Sequence, residues 1–310
     1  MKRKIKRSRK PWTAERILRT CVIITFCLMV LSLGAVYCTY AYRKTGTLMP
    51  TWELLDGRPT FRFVDVGQGD CTLVTYGGDA VLVDAGPASS AKKAAEYVRM
   101  YAPIIDYLII THPHEDHMGG AEEILCHTRV EHLILSDITV PDEFFTDAIE
   151  AAERQGTEII TLDDGAVYRA GDITVTIFDV FDYPYEDLND ASMVVRIDAA
   201  ETSLLITGDA EEGEEAYTLT LNEAGLDCDI LQVGHHGSAT SSTEAFLKAV
   251  TPEIGVISCG RNNSYGHPNA AVLQRLRVVG AEIRRTDREG HVVIRGDLPE
   301  NSETNETFEK

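Results

Sequence analysis

The segment "THPHEDHMGG", residues 111–120, places three histidines and two acidic residues within six consecutive positions. The apolar run directly before it, "IIDYLII", is typical of a buried strand. In an extended chain, residues two apart face the same way, so His112 and His114 can reach one metal ion together. Asp116 and His117 follow the turn and can face a neighbouring position. A solvated polar loop is the alternative, and this density of ligand-type side chains argues against it.

Imidazole and carboxylate groups are the usual zinc ligands, while ligand type alone leaves manganese and iron open. A catalytic metal needs further ligands and an open coordination position. The second half of the chain offers them where predicted strands end: Asp209 ends "LLITGD", and His235 and His236 follow "ILQVG". A carboxylate such as Asp209 can bridge two cations about 3.5–4 Å apart. Such cations lower the pKa of a bound water towards about 7, which supplies a nucleophile at neutral pH.

Apolar runs with turn glycines alternate with helical patterns, which predicts a mixed α/β domain over residues 61–296. The predicted strands cover residues 61–67, 71–77, 80–86, 106–112, 131–136, 173–180, 192–198, 203–209, 229–234, 254–260, 281–286 and 291–296. The predicted helices cover residues 90–102, 142–154, 211–224, 242–250 and 268–279. Two successive sets of strands, each with its own helices, indicate two sheets packed face to face with helices outside.

The order of these motifs resembles the metallo-β-lactamase superfamily, whose fold is an αββα four-layer sandwich. H-x-H-x-D-H at residues 112–117 is followed by a strand-end "GD" and a later histidine. Four further motifs look like the C-terminal hydrolase domain of ComEC-type DNA-uptake proteins and their free-standing relatives. They are "FVDVGQGD" (63–70), "NDASMVV" (189–195), "HHGS" (235–238) and "YGHPN" (265–269). The resemblance covers about residues 60–296.

By this resemblance, His112 and His114 bind one metal, Asp116 and His117 bind the other, and Asp209 bridges them. The resemblance also gives His236 a metal role and leaves His235 for phosphate contact or proton transfer, although the order of this pair stays open. Many members carry another histidine before the bridging aspartate, where this chain has Asn189, Asp190 and Ser192. We therefore expect the first metal to be short of a protein ligand. The remaining roles are catalysis by Asp116, His235 and His267 and substrate binding by Arg261, Asn262, Asn189 and Ser192.

Three aspartates near turn glycines have two interpretations. Asp65, Asp70 and Asp84 either orient the metal-binding histidines or cap backbone N–H groups in turns. The residues themselves do not decide between the two.

Charge and hydropathy predict a membrane anchor. Residues 1–44 hold eleven Lys/Arg and one acidic residue, and residues 45–310 hold 18 Lys/Arg against 48 Asp/Glu, a formal charge of −30. The 23 uncharged residues 20–42 are long enough to cross a hydrocarbon core of roughly 30 Å. The basic flank predicts a cytoplasmic N-terminus and an extracytoplasmic body in the cell membrane. A cleaved signal peptide is the alternative.

The predicted organisation follows from these boundaries. It comprises a basic tail (1–19), a single transmembrane helix (20–42), a stalk (43–60), the hydrolase domain (61–296) and a polar tail (297–310).

These features predict an extracytoplasmic metallohydrolase with one or two zinc ions, or manganese, that acts on a phosphodiester. Arg261 offers a fork of donors to a phosphate. The resemblance implies single-stranded DNA as a substrate, although the acidic body disfavours tight nonspecific binding of a polyanion. Two alternatives stay open: an esterase acting on phosphocholine groups of cell-wall polymers, and a catalytically degenerate domain that binds DNA or a partner.

Overall fold

The chain divides into two compact units, residues 1–48 and 49–310. The computed structural model describes residues 22–26, 28–30, 32–33, 57–137, 142–162, 165–178, 188–222 and 225–297. In the first unit the described residues are helical. Within the described part of the chain, no helix is both long and apolar enough to span a bilayer. The other residues of the predicted anchor, most of the stalk and all but the first residue of the predicted polar tail lie outside the described residues.

The second unit contains two mixed sheets of seven strands each within its described residues. The first sheet has the order β14-β1-β2-β3-β4-β5-β6, and the second has the order β13-β12-β11-β10-β9-β8-β7. The strands are β1 (Thr60–Phe63), β2 (Thr72–Tyr76), β3 (Asp79–Val83), β4 (Ile104–Ile109), β5 (Arg129–Ser136), β6 (Glu158–Leu162), β7 (Ala166–Ala170), β8 (Ile173–Ile177), β9 (Val195–Ala199), β10 (Thr202–Ile206), β11 (Ile230–Gln232), β12 (Ile254–Ile257), β13 (Glu282–Arg285) and β14 (Val292–Arg295).

Helices cover the outer faces of both sheets. They are α1 (Ala91–Tyr101), α2 (Glu115–Met118), α3 (Ala121–His127), α4 (Glu143–Gln155), α5 (Glu212–Asn222), α6 (Glu244–Val250), α7 (Ala270–Val279) and α8 (Thr286–Glu289). Val98 of α1 and Ile124 of α3 belong to one core cluster with Leu133 of the first sheet. Phe246 of α6 and Leu276 of α7 pack in another with the second sheet.

The inner faces of the two sheets meet in a third apolar core. Phe61 and Val83 of the first sheet pack in one buried cluster with Val175, Ile197 and Leu204 of the second. Apolar residues buried on both sides of each sheet account for the nearly continuous hydrophobic strands of the sequence. The result is the four-layer arrangement that the two sets of strands predict.

The predicted metal and catalytic residues lie near the carboxyl ends of parallel strands. β3, β4, β5 and β6 run parallel in one sheet, and β10, β11, β12 and β13 run parallel in the other. Loops that follow such strands gather at one edge of a sheet, where open α/β folds bind their ligands. The segments after β4, β10, β11 and β12 carry the predicted metal and catalytic residues, and the segment after β3 carries Asp84.

Three details of the predicted architecture are corrected. The last strand, β14, lies in the first sheet and not in the second set, because it pairs antiparallel with the free edge of β1. The sequence did not predict β6 and β7. Each is an edge strand of its sheet, so its side chains are mostly half-buried or exposed. The hydrophobic pattern of such a strand is weak. β1 also begins at Thr60, one residue inside the predicted stalk.

Candidate metal centre

The histidine-rich segment follows β4, bends at Thr111 and His112, and turns into the short helix α2 after His114. This turn buries His117. Two glycines allow the segment to lie against its neighbours. A Cβ on Gly120 would stand 2.2 Å from the carbonyl oxygen of Ala85, and one on Gly69 would stand 2.3 Å from that of Asp116. Only glycine fits at such distances, so these glycines hold the segment against the loops after β1 and β3.

A buried group of side chains forms the inner cluster, defined as Asp70, His117, Asp209 and His236. Their nearest ligand atoms all lie within 4.8 Å of one another. Nε2 of His117 is 3.1 Å from Oδ1 of Asp209, and Nε2 of His236 is 3.6 Å from the same oxygen. Asp116 adds its Oδ2 at 3.2 Å from Nε2 of His236. Carboxylate oxygens and imidazole nitrogens therefore converge on one small volume.

The outer cluster consists of His112, His114 and Asp209. Nε2 of His112 is 3.0 Å from Nδ1 of His114 and 3.9 Å from Oδ2 of Asp209. Asp209 thus directs one oxygen to each cluster. This is the position that a bridging carboxylate requires.

The rings are held from behind through their Nδ1 atoms. Nδ1 of His117 is 2.8 Å from Oδ2 of Asp84, a buried residue whose Oδ1 accepts the backbone N–H of Thr111 at 2.8 Å. Nδ1 of His236 donates to the carbonyl oxygen of Ser258 at 3.0 Å. A partner at one ring nitrogen fixes the tautomer and turns the other nitrogen towards a metal.

Asp70 lies on the same rear side of His236, because its Oδ1 is 3.5 Å from Nδ1 of that ring. Nε2 of His236 faces Asp116 and Asp209 instead, so we assign Asp70 to orienting the ring and Asp116 to the front. Asp84 orients His117 in the same way. Asp65 is different: its Oδ1 accepts the backbone N–H of Gly67 at 3.3 Å, as a turn cap does.

Burial and charge together set the protonation of these groups. Burial alone would raise the pKa of Asp209, but the charges of His117 and His236 outweigh it and hold this pKa well below its usual value. Burial alone would lower the pKa of His117, but Asp209 and Asp84 raise it well above its usual value. The pKa of His112 falls well below its usual value, because burial is joined by repulsion from His117.

The donor set fits a divalent cation. Within the described residues, neither Nε2 of His117 nor Oδ1 of Asp209 has a partner in hydrogen-bond geometry, although both are buried. Buried polar atoms without partners are costly, and a cation between them would satisfy both. Imidazole and carboxylate donors suit zinc and also permit manganese.

A rim of partly exposed residues surrounds the two clusters. Nε2 of His235 is 3.6 Å from Oδ2 of Asp209, and its Nδ1 is 3.2 Å from Oε1 of Glu211. The ring of His267 lies 5.6 Å from that of His235, centroid to centroid. Tyr265 stacks on His267 at 5.8 Å. Both predicted catalytic histidines therefore lie beside the two clusters.

One predicted substrate residue has a different place. Ser192 is fully buried, and its hydroxyl is 3.2 Å from Nδ1 of His112 and accepts the backbone N–H of Asp209 at 3.0 Å. Its prediction as a substrate contact is corrected, because a buried hydroxyl with these partners positions the ligands. Asn189 is also buried, and its carbonyl oxygen accepts the N–H of Ser192 at 3.1 Å.

The two other predicted substrate residues, Arg261 and Asn262, are exposed in the loop after β12. Sequence reasoning missed Asn263, which braces this loop. Its Nδ2 donates to the carbonyl oxygens of Gly260 at 2.9 Å and His267 at 2.7 Å. Asparagine in a glycine-flanked loop is a turn signal that would have suggested this role. It also missed Glu211, which no local pattern distinguishes from Glu212, Glu214 and Glu215 in the first turn of α5.

Comparison with known proteins establishes the class. The family model described as the metallo-beta-lactamase superfamily matches residues 64–261, and the chain belongs to this superfamily of hydrolases. Solved structures agree at the level of the fold. The metallo hydrolase Igni18 of Ignicoccus hospitalis matches with a TM-score of 0.51 and 18% identity, covering 77% of this chain and 100% of that one. The diiron β-hydroxylase CmlA of Streptomyces venezuelae matches with a TM-score of 0.52 and 17% identity, covering 77% and 54%.

Curated relatives narrow the resemblance to ComEC-type competence proteins. ComE operon protein 3 of Bacillus subtilis is 28% identical over 84% of this chain and 35% of its own length. Recombination protein 2 of Haemophilus influenzae is 31% identical over 79% of this chain and 29% of its own length. The chain thus spans about a third of the length of these relatives.

Proposed function

We propose that this protein is a membrane-anchored, metal-dependent phosphodiesterase. The observation that carries the proposal is Asp209, which directs one oxygen to each of two ligand clusters and is almost fully buried. Paired cations that share a carboxylate are a recurrent arrangement for hydrolysis of phosphate esters. The nearly complete ligand set argues against a degenerate binding domain.

Each cluster would hold one cation. His112, His114 and Asp209 would hold the first, while Asp116, His117, Asp209 and His236 would hold the second. When bound, such cations supply Lewis acidity towards the phosphate and an acidified water as nucleophile. Either zinc or manganese suits these ligands.

The rim residues handle protons and the phosphate. We assign proton transfer to the leaving group to His235, whose ring Glu211 and Asp209 hold from two sides. Burial, with the neighbouring charges of His236 and His235, lowers the pKa of His267. His267 is therefore neutral at neutral pH and can donate one N–H to a phosphate oxygen. Arg261, exposed in the same loop, can add a second donor.

The names of the relatives, which include Competence protein ComA of Neisseria gonorrhoeae, support a nucleic-acid substrate. A phosphodiester backbone is also the chemistry that two cations and an arginine would recognise. We therefore place a nucleic acid first among the substrates.

Membrane anchoring through residues 20–42 rests on the apolar run and its basic flank. Eight apolar side chains of the first unit support it, since each is at least half exposed: Val22, Ile23, Ile24, Phe26, Leu28, Met29, Val30 and Leu33. A row of exposed apolar side chains on a helix suits a lipid environment. Protease added to intact cells should digest the body, and digestion only after lysis would contradict this topology.

Asp209→Asn tests the function. It keeps the shape of the side chain and removes the charge shared by both clusters. We expect metal content and hydrolysis of bis-p-nitrophenyl phosphate to fall together by more than the roughly 10–100-fold loss typical of a residue behind a ligand. Asp172→Asn, an exposed turn carboxylate, is the matched control and should keep both. Wild-type metal content and wild-type rates in Asp209→Asn would refute the two-metal proposal.

A further inference from the structure

One stretch of this acidic protein has the opposite charge. Residues 261–295 contain seven arginines and three acidic residues, a formal charge of +4. The rest of residues 45–310 holds 11 Lys/Arg against 45 Asp/Glu, a formal charge of −34. Such an asymmetry marks a local surface for an anionic partner, which the net charge of the whole body conceals.

The fold places this basic stretch beside the metal centre. β13 runs parallel to β12, with Arg285 opposite Ile257. The residue after Ile257 is Ser258, whose carbonyl oxygen holds His236. Nε of Arg261 donates to the carbonyl oxygen of Asp287 at 3.1 Å, which joins the rim loop to α8. This contact links the rim loop to α8, which carries Arg288.

A cleft of about 420 Å³ opens on this surface. Arg277, Arg285, Arg288 and Glu289 line it together with the apolar residues Leu273, Ala281 and Ile283. We call Arg261, Arg277, Arg285 and Arg288 the arginine face.

Ion pairs leave this cleft with an excess of positive charge. Arg285 pairs with Asp287 at 2.7 Å, and Arg284 pairs with Glu289 at 2.6 Å. Both acidic residues of α8 are thereby matched by residues of β13. Arg277 and Arg288, both exposed, supply the positive charge that is left over. The guanidinium group of an arginine can donate two parallel hydrogen bonds to the oxygens of one phosphate.

An exposed aromatic ring lies in the loop that also carries Arg261 and His267. Tyr265 is 70% exposed, and its ring is nearly parallel to that of His267, at an angle of 28°. Asn263 holds the backbone of His267 from both sides, since it donates to its carbonyl oxygen and accepts its N–H at 3.0 Å. An exposed aromatic ring beside a braced neighbour is a surface on which an unpaired nucleobase can stack.

We propose that the arginine face and Tyr265 bind a single strand of nucleic acid and lead it to the metal centre. The arginines contact phosphates, and Tyr265 stacks on one base of the segment next to the scissile bond. A single strand is required, because a base within a duplex has no free face for Tyr265. This inference rests on the proposed phosphodiesterase function and assigns its substrate a binding surface.

The test compares a twelve-residue oligothymidylate with bis-p-nitrophenyl phosphate as substrates of the full chain. Arg277→Gln combined with Arg288→Gln should raise the oligonucleotide KM about tenfold relative to that of the small diester. It should also lower the slope of log affinity against log salt by about 1.4, because each lost contact with a single strand removes about 0.7. Tyr265→Ala should raise the same KM ratio about tenfold, and Tyr265→Phe should keep it.

The matched control is Arg129→Gln combined with Arg154→Gln. These exposed, ion-paired arginines lie on the side of the first sheet, so their loss changes net charge equally but should leave the KM ratio within twofold of wild type. An equal shift in the control pair would overturn the proposal, because it would reflect net charge alone. Equal changes for both substrates in the Arg277 and Arg288 variant would also overturn it.

Fluorescence anisotropy with a labelled oligothymidylate separates this inference from the proposed function. If the wild type hydrolyses neither substrate with zinc or manganese, the function fails, and loss of oligonucleotide binding in the same variants still supports the surface. Vesicles that contain phosphatidylglycerol are the second probe. Loss of vesicle binding with undiminished oligonucleotide binding would assign the arginine face to lipid and refute the inference.

Discussion

The inner and outer clusters share Asp209 but differ in how they are built. All four members of the inner cluster are buried, whereas His114 of the outer cluster is half-buried. The inner rings are held by the carboxylates of Asp84 and Asp70 and by a backbone carbonyl. In the outer cluster, the partners of His112 Nδ1 among the described residues are the hydroxyl groups of Ser192 and Thr111, each at 3.2 Å.

This difference leads us to expect that Asp209 serves two metal sites of unequal affinity. Carboxylate partners make a histidine a more basic ligand than hydroxyl partners do. The inner cluster also has more negative charge within reach, because Asp116 adds a second carboxylate in front. We therefore expect the inner cation to bind more tightly. The sequence-based expectation of a weak first metal stays a prediction, and the outer cluster is where it applies.

The largest effect should come from removal of an inner histidine. His117→Ala should abolish tight binding of the inner cation, with a loss above about 100-fold, because a direct ligand outweighs its supporting residue. His114→Ala should reduce occupancy of the outer site and leave the inner one. Metal analysis of both variants after dialysis measures this. Equal losses of bound metal in the two variants would contradict a difference in affinity between the inner and outer sites.

Asp84→Asn tests the inner cluster through a residue that holds His117 from behind. It keeps the shape behind His117 and removes the charge, so the inner affinity should fall about 10–100-fold. Asp65→Asn is the control, since Asp65 caps a turn and touches no cluster histidine in the described contacts. Competition with a chromogenic chelator measures both, and an Asp84→Asn variant that binds as tightly as the control would be contrary to the account.

Ser192→Ala should have a smaller effect, confined to the outer site. The loss of one hydroxyl partner of His112 should weaken the outer cation by less than about tenfold. The N–H of Asp209 also loses its acceptor, which should cost about 1–2 kcal/mol of unfolding free energy. Denaturant unfolding and metal titration measure the two effects. A loss of inner metal in this variant would show that the clusters are not independent.

The smallest difference concerns protons. Asp209 and its carboxylate neighbours raise the pKa values of His117 and His236, so these rings are protonated at neutral pH without metal. Burial lowers the pKa of His112, which is already neutral. Inner binding should therefore release protons and strengthen as pH rises, while outer binding releases fewer. Calorimetry in buffers of different ionisation enthalpy counts the released protons. Equal proton release at both sites would contradict the expected difference between the inner and outer clusters.

Most residues of the two clusters could be recognised in the sequence because they follow apolar strands. His112, Asp209 and His236 each come within a few residues of a strand end, where periodicity is strong. Their family motif then assigned them to metals. Edge strands such as β7 were missed, because burial there alternates weakly and gives little hydrophobic signal.

The supporting contacts could not be predicted in the same way. Asp84 reaches His117 across 33 positions of sequence, and Ser192 reaches His112 across 80. Such pairs depend on the register of separate strands, which no local pattern contains. Ser192 was predicted to touch substrate for this reason, although its motif was recognised. The arginine face was likewise hidden by the acidic charge of the whole body.

The existence of two cation sites of unequal affinity can be measured by titrating the metal-stripped full chain with Mn²⁺. Calorimetry follows the binding, and hydrolysis of bis-p-nitrophenyl phosphate follows the activity. We predict two binding steps, of which the first has an affinity at least about tenfold higher. Hydrolysis should rise as the second site fills. A single equivalent of bound metal, two indistinguishable steps, or full hydrolysis by the metal-stripped chain would contradict this prediction.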